Sequence, residues 1–180
     1  MHFLQELRAA NKARNDEWQN VGKPFSLVFW ANELAGEAGE TCNILKKLDR
    51  EHNYQVRGSR ATLAALTEEL SDVVICCDLT GMFLDVEFSP ELCWPNKTFT
   101  PRPDHPYSEL GAKIARAVGR VNGMALHYDT HIGPAQITGA LMETLFETRS
   151  AAEQLGIKLE HHVTVKFNMT SEKIGLATRL

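Results

Sequence analysis

The stretch ATLAALTEELSDVVICCDLTGMFLDV, residues 61–86, decides how this chain folds. Leu63, Leu66, Leu70, Val73, Val74, Cys77, Leu79 and Met82 recur at helical spacing. They are too numerous for a helix with a wide wet side, so the helix is expected in a core or a subunit interface. Within it, TEELSD sets Glu69 and Asp72 at i, i+3, adjacent on one face. An apolar helix carrying an acidic pair needs neighbours to cover it and something to compensate the charge.

Upstream, ELAGEAGE (33–40) raises the charge question again. Glu33, Glu37 and Glu40 stand at i, i+4 and i+7 with no cation among them, and each like-charge i,i+4 pair costs a helix roughly 0.2–0.5 kcal/mol. With Glu33 at zero on a helical wheel, Glu37 falls at about 40° and Glu40 at about 340°. Leu34, Ala38, Leu45 and Leu48 fall between about 60° and 140°. The acidic row therefore borders the buried face of a helix expected from Ser26 to Leu48, which Pro24 can open. The charged stretch LDREHNYQVRGSR then reads as a polar connector to the next helix.

The remaining chain is also helical in pattern. Residues 3 to 19 carry Phe3, Leu4, Leu7, Ala10 and Ala13 at helical spacing before Gly22, Lys23 and Pro24 break the run. After residue 86, EFSPELCWPNKTFTPRPDHP contains five of the seven prolines and is expected to be irregular. Helices are expected again at Tyr107–Leu126, Ala135–Leu155 and Leu159–Ile174, with Gly156 and Gly175 closing the last two. No run alternates like a strand for more than a few residues. The expected fold is all-α, one antiparallel bundle in one domain spanning 1–180.

Composition narrows the function. The chain has 180 residues, 43% hydrophobic and 23% charged, with a net charge of −4. That balance suits one globular domain and argues against broad electrostatic binding to nucleic acid. No segment resembles a secretion signal or approaches the ~20 apolar residues of a membrane span, so a cytoplasmic protein is expected. Cys42, Cys76, Cys77 and Cys93 form no CxxC and are expected as buried free thiols. His127 with His131, and the adjacent His161 and His162, are expected to be surface residues.

If the two acidic helices are antiparallel neighbours, Glu37 and Glu40 face Glu69 and Asp72. Four converging carboxylates are unstable alone, and a hard divalent cation, Mg²⁺ or Mn²⁺, resolves the repulsion with oxygen ligands. Solvated acidic faces are the plainer alternative. A di-iron bundle would need Glu-x-x-His, and none of the seven histidines has a glutamate three residues before it.

The ordered pair E37AGE40 and E69LSD72 resembles the pattern of the MazG-like, all-α nucleoside triphosphate pyrophosphohydrolases. So do the surrounding NELAGEAGETCNILKKL, the GSRAT connector, LTEELSDVVICCDL and the ending KFNMTSEKIGLATRL. The resemblance is to the short, single-domain branch often found in bacteria and their phages. It covers about 3–82 and 140–180, and makes 87–135 an insertion, loop plus helix, between core segments 3–86 and 136–180. It implies Mg²⁺-dependent hydrolysis of a (deoxy)nucleoside triphosphate, a purine such as dGTP among the candidates, at the α–β bond to the monophosphate and pyrophosphate.

It further implies Glu37, Glu40, Glu69 and Asp72 as catalytic metal ligands, with Glu33 or Glu68 beside them as supporting groups or proton acceptors. Lys47, Lys166, Asn168 and Lys173, with Arg179 in the tail, are phosphate-binding candidates. The base is expected to meet aromatic and amide groups of the first two helices, chiefly Asn15, Trp18, Phe29 and Asn32, with Asn11 and Trp30 near them. A homodimer or homotetramer is expected. The competing readings are a non-catalytic helical interaction module and a metal-dependent nucleotide binder.

Overall fold

The computed structural model describes residues 2–18, 25–58, 60–95 and 107–180. These form α1 (Phe3–Trp18), α2 (Leu27–His52), α3 (Leu63–Phe83), α4 (Pro90–Cys93), α5 (Tyr107–Ala125), α6 (Pro134–Gln154) and α7 (Leu159–Lys173). There is no strand among the described residues, only an isolated bridge between Tyr128 and Ile132 in the α5–α6 turn. The expected break at 22–24 and residues 96–106 of the proline-rich stretch lie outside the described residues.

The helix ends follow local chemistry. The Ser26 and Thr62 side chains accept hydrogen bonds from the Phe29 and Ala65 N–H groups, each satisfying a donor that the first turn leaves without a partner. At the other ends, Gly156 and Gly175 adopt φ of +71° and +75°. There Ile157 N–H reaches the Ala152 carbonyl and Leu176 N–H reaches that of Ser171, the Schellman arrangement that reverses the chain. α3 stops the same way at Asp85, φ +52°, where Val86 N–H bonds the Gly81 carbonyl.

α3 is the central helix. It is packed by α1, α2, α6 and α7, and Leu66, Leu70, Val73, Val74 and Cys77 have no exposed surface. The single chain covers the middle of this helix itself, while Leu63 and Phe83 near its two ends stay exposed. Cross-helix pairs fix antiparallel directions. Glu40 and Glu69 meet while Glu37 faces Asp72 between α2 and α3. Arg116 contacts Glu147 and Glu143, and Arg120 contacts Glu143, between α5 and α6. The bond from Ser108 to Asp49 and that from Cys42 to the Gly111 carbonyl do the same for α5 and α2.

Three sequence expectations change. First, α2 continues four residues past Leu48 to His52; the first part of the connector is helical because Asp49 is buried and held by Ser108 and Asn53. Second, the described start of the proline-rich stretch, residues 87–95, is anchored. Pro90 opens the short α4, and Trp94, 2% exposed, donates from Nε1 to Glu160 at 2.7 Å. Third, α5 packs along both α2 and α6. Its Leu110, Ile114, Val118 and Val121 belong to the same core as Leu45 and Leu141, so this helix of the 87–135 segment is a load-sharing part of the core, not a surface decoration.

Close approach also constrains α3. A Cβ on Gly81 would lie 2.4 Å from Cζ of Phe88 and 2.9 Å from Nη2 of Arg8. Only glycine lets the chain after α3 fold Phe88 back onto the helix.

Candidate metal centre

The acidic pairs of α2 and α3 converge. Glu37, Glu40 and Glu69 each bring a carboxylate oxygen within 4.8 Å of the others. Glu37 and Glu69 are half-buried and Glu40 is exposed, so the cluster opens to solvent at the α2–α3 seam. Neighbouring oxygens of an octahedral shell at the ~2.1 Å ligand distance of Mg²⁺ are about 3 Å apart, so the three side chains would have to draw closer to share one ion.

Charge crowding appears in the titration of these groups. Burial, followed by the charges of Asp72, Glu40 and Glu69, pushes the Glu37 carboxyl up to about 7, against the opposing charge of Lys166. Burial and then the charges of Glu40 and Asp72 also raise Glu69. Asp72 is raised by burial, which outweighs the hydrogen bond and charge of Lys166. Among the described residues, no lysine or arginine forms an ion pair with Glu37, Glu40 or Glu69.

Asp72 is placed differently from its three expected co-ligands. Its Oδ2 lies 2.7 Å from Lys166 Nζ, which also stands 3.8 Å from Glu68. The structure thus puts an ammonium against the fourth carboxylate. The oxygen-only donor set of Glu37, Glu40 and Glu69 fits a hard cation in chemistry, whereas Asp72 is already partnered by Lys166. Gly36 and Gly39, beside Glu37 and Glu40, have nothing within 4 Å of where a Cβ would stand. They approach no other helix, and the space beside the acidic row is open.

The other expected site residues separate. Asn168 is engaged with the tail, donating to the Leu180 carbonyl and accepting from its N–H at 2.8 Å. Arg179 bonds the carbonyls of Leu176 and Thr178. Much of the KFN…SEK…G ending is therefore structural: Phe167 is fully buried, Ser171 receives the chain-reversing bond, and Gly175 takes positive φ. Lys173 is exposed in the last turn of α7, and Lys47 is half-buried on α2, two turns beyond Glu40. Glu33 and Glu68 are exposed at the edge of the cluster.

At the α1–α2 corner, Phe25 stacks on Phe29 with centroids 4.2 Å apart, and Trp18 and Trp30 pack against Phe25. Trp18, Phe25 and Phe29 remain 47%, 39% and 36% exposed, whereas Trp30 is buried. Phe29 is one turn before Glu33 and so about 12 Å along α2 from Glu37. Asn32 is exposed and Asn15 half-buried. Asn11, fully buried, donates to Asp78 and accepts from Arg14, which makes it structural.

Two residues escaped the sequence reading. Phe25 joins the aromatic cluster although it precedes the helix. Arg14 is buried, lies 3.8 Å over the Phe167 ring, and leaves Nη1 with no partner. Its signal was positional: with Leu7, Ala10 and Asn11 it falls on the inward stripe of α1. The histidines match expectation in part. His127 and His131 are exposed in the α5–α6 turn and His161 is exposed, but His162 is half-buried. All four cysteines are free; Cys77 and Cys93 are buried and Cys42 and Cys76 half-buried.

Larger cavities lie elsewhere. One of about 520 Å³ is bounded by Trp94, Arg149 and the start of α7, and one of about 390 Å³ by α1, Asp78 and Phe88. Neither includes a carboxylate of the cluster. No family model matches this chain, and no curated protein or solved structure matches it. No helix among the described residues is long and apolar enough to cross a membrane.

Proposed function

We propose that the chain is a Mg²⁺-dependent nucleoside triphosphate pyrophosphohydrolase whose metal is held by Glu37, Glu40 and Glu69. The observation that carries this reading is the meeting of three carboxylate oxygens within 4.8 Å of one another, drawn from two antiparallel helices. The resemblance of E37AGE40 and E69LSD72 to the MazG-like pattern supports it. A bound divalent cation supplies neutralisation of phosphate oxygens and acidification of a coordinated water, with Mn²⁺ able to substitute.

The residues of this chain divide the remaining work. Glu37, Glu40 and Glu69 would hold the cation that neutralises the phosphates, and Lys166 and Lys47 add positive charge for a polyanion. Glu33 and Glu68, exposed beside the cluster, are the carboxylates outside the triad that can take the proton of the attacking water. The exposed parts of Phe29, Phe25 and Trp18 offer a stacking surface for a base, of which Phe29 lies about 12 Å along α2 from Glu37. Water adds across the α–β anhydride, giving the monophosphate and pyrophosphate.

A scan of all canonical dNTPs, with dGTP and other purines among them, for product with and without Mg²⁺ tests the reaction. Metal-dependent pyrophosphate release is expected, and orthophosphate release or no turnover contradicts it. The ion pair between Lys166 and Asp72 favours a second reading, a helical module whose acidic cluster is partly self-neutralised and holds no metal. That reading expects Mg²⁺ to leave the thermal midpoint unchanged.

A further inference from the structure

Lys166 and Asp72 belong to different helices, α7 and α3, and among the described residues Lys166 is the cation that pairs with the acidic set, closely with Asp72 and more distantly with Glu68. The distance is 2.7 Å, with side-chain exposures of only 25% for Lys166 and 19% for Asp72. A pair so covered is not among the solvated surface pairs that contribute little. Glu37, Glu40 and Glu69, by contrast, lie together within 4.8 Å and have no such ammonium partner among the described residues.

We infer that Lys166 competes with the divalent cation for Asp72 and releases that carboxylate when a triphosphate arrives. The inference rests on the metal-dependent reading above. The ammonium holds Oδ2 of Asp72 at hydrogen-bonding distance, which fixes the direction of the carboxylate, and a second positive charge brought to the same group is repelled by the first. Free metal therefore meets three carboxylates and an opposing charge. A polyanionic substrate offers Lys166 a stronger partner, so Nζ moves from Asp72 to phosphate oxygen and Asp72 turns to the metal. Metal and nucleotide consequently tighten each other's binding, as reciprocal linkage requires. Lys166 is on this account the residue that makes the metal enter with its substrate.

The test is calorimetric titration of Mg²⁺ into the wild-type chain, Lys166→Met and Lys166→Arg, alone and with a non-hydrolysable α,β-methylene dNTP. Without nucleotide, Lys166→Met is expected to bind Mg²⁺ about tenfold more tightly than wild type, because an opposing charge within a few ångströms is gone. Lys166→Arg, which keeps the charge, is expected to stay near wild type. The analogue should tighten Mg²⁺ in the wild type and much less in Lys166→Met. Equal Mg²⁺ affinity of Lys166→Met and wild type overturns the inference and leaves the metal site standing. No Mg²⁺ binding by any variant, with or without the analogue, overturns the metal reading as well. A second readout needs no variant. In the wild type, reductive methylation of Lys166 should accelerate with saturating Mg²⁺ alone and be suppressed when the analogue is added; a rate indifferent to both contradicts the exchange.

Discussion

Arg8 grips Asp78 with two donors, Nε and Nη2, each 2.9 Å from Oδ1, and the carboxylate is fully buried between α1 and α3. Asn11 donates to the other oxygen at 2.9 Å, and the Arg8 guanidinium lies over the Phe88 ring. Burial raises the Asp78 pKa, opposed by the charge and hydrogen bonds of Arg8 and by Asn11. This pair helps fasten α1 to α3, beside the buried Leu4, Leu7 and Ala10 of the same helix.

Removing one partner leaves a buried charge without compensation. Arg8→Ala should cost about 3 kcal/mol of stability, measured by urea unfolding. Arg8→Ala combined with Asp78→Leu should recover much of that loss. If the double variant is no better than the single one, the pair is not the fastening.

The crowded carboxylates make the metal-free protein sensitive to pH. Glu37 has a folded-state value of about 7 against 4.5 for an ordinary glutamate. Because the folded value is the higher one, its contribution to stability is complete below pH 4.5 and is lost as pH rises to about 7. Glu69 and Asp72 are shifted in the same direction. In EDTA, stability should fall across this window by roughly 1 kcal/mol, the half-exposed position of Glu37 having reduced the effect through solvent screening. Glu37→Gln should flatten the profile, and Mg²⁺ should restore stability above pH 7. A profile unaffected by Glu37→Gln would show that the cluster is not under strain.

Gly36 and Gly39 separate a ligand role from a structural one. Both are exposed inside α2 with open space where a Cβ would stand, and each glycine weakens a helix by about 1 kcal/mol relative to alanine. Gly36→Ala with Gly39→Ala should raise the urea midpoint while raising KM for the triphosphate about tenfold, because the added methyls fill the approach to the acidic row. Greater stability with an unchanged KM would place the substrate elsewhere.

Much of this architecture was legible because it is periodic. The inward stripe of α3 announced a central helix, and the wheel positions of Glu37 and Glu40 placed them at the edge of a buried face. Gly156 and Gly175 marked the two helix ends at which they adopt positive φ. What stayed hidden depends on partners distant in sequence. α2 runs past Leu48 because Ser108 meets Asp49, and the described start of the proline-rich stretch is tied down because Trp94 finds Glu160. The engagement of Lys166 with Asp72 needs α7 laid along α3, which no local pattern specifies. For α5 the signal was present, since Leu110, Ile114, Val118 and Val121 recur at helical spacing. The helix itself was expected at Tyr107–Leu126, but its packing against α2 and α6 depends on partners distant in sequence.

The central claim is that the α2–α3 carboxylates hold the cation that drives pyrophosphate release. Glu69→Gln tests it most directly, since the change keeps the shape of the side chain and removes only the anionic ligand. At saturating Mg²⁺ and the best dNTP, turnover should fall at least about a hundredfold, with the thermal midpoint of the metal-free protein unchanged or raised. Turnover equal to wild type in a folded Glu69→Gln chain would contradict the account.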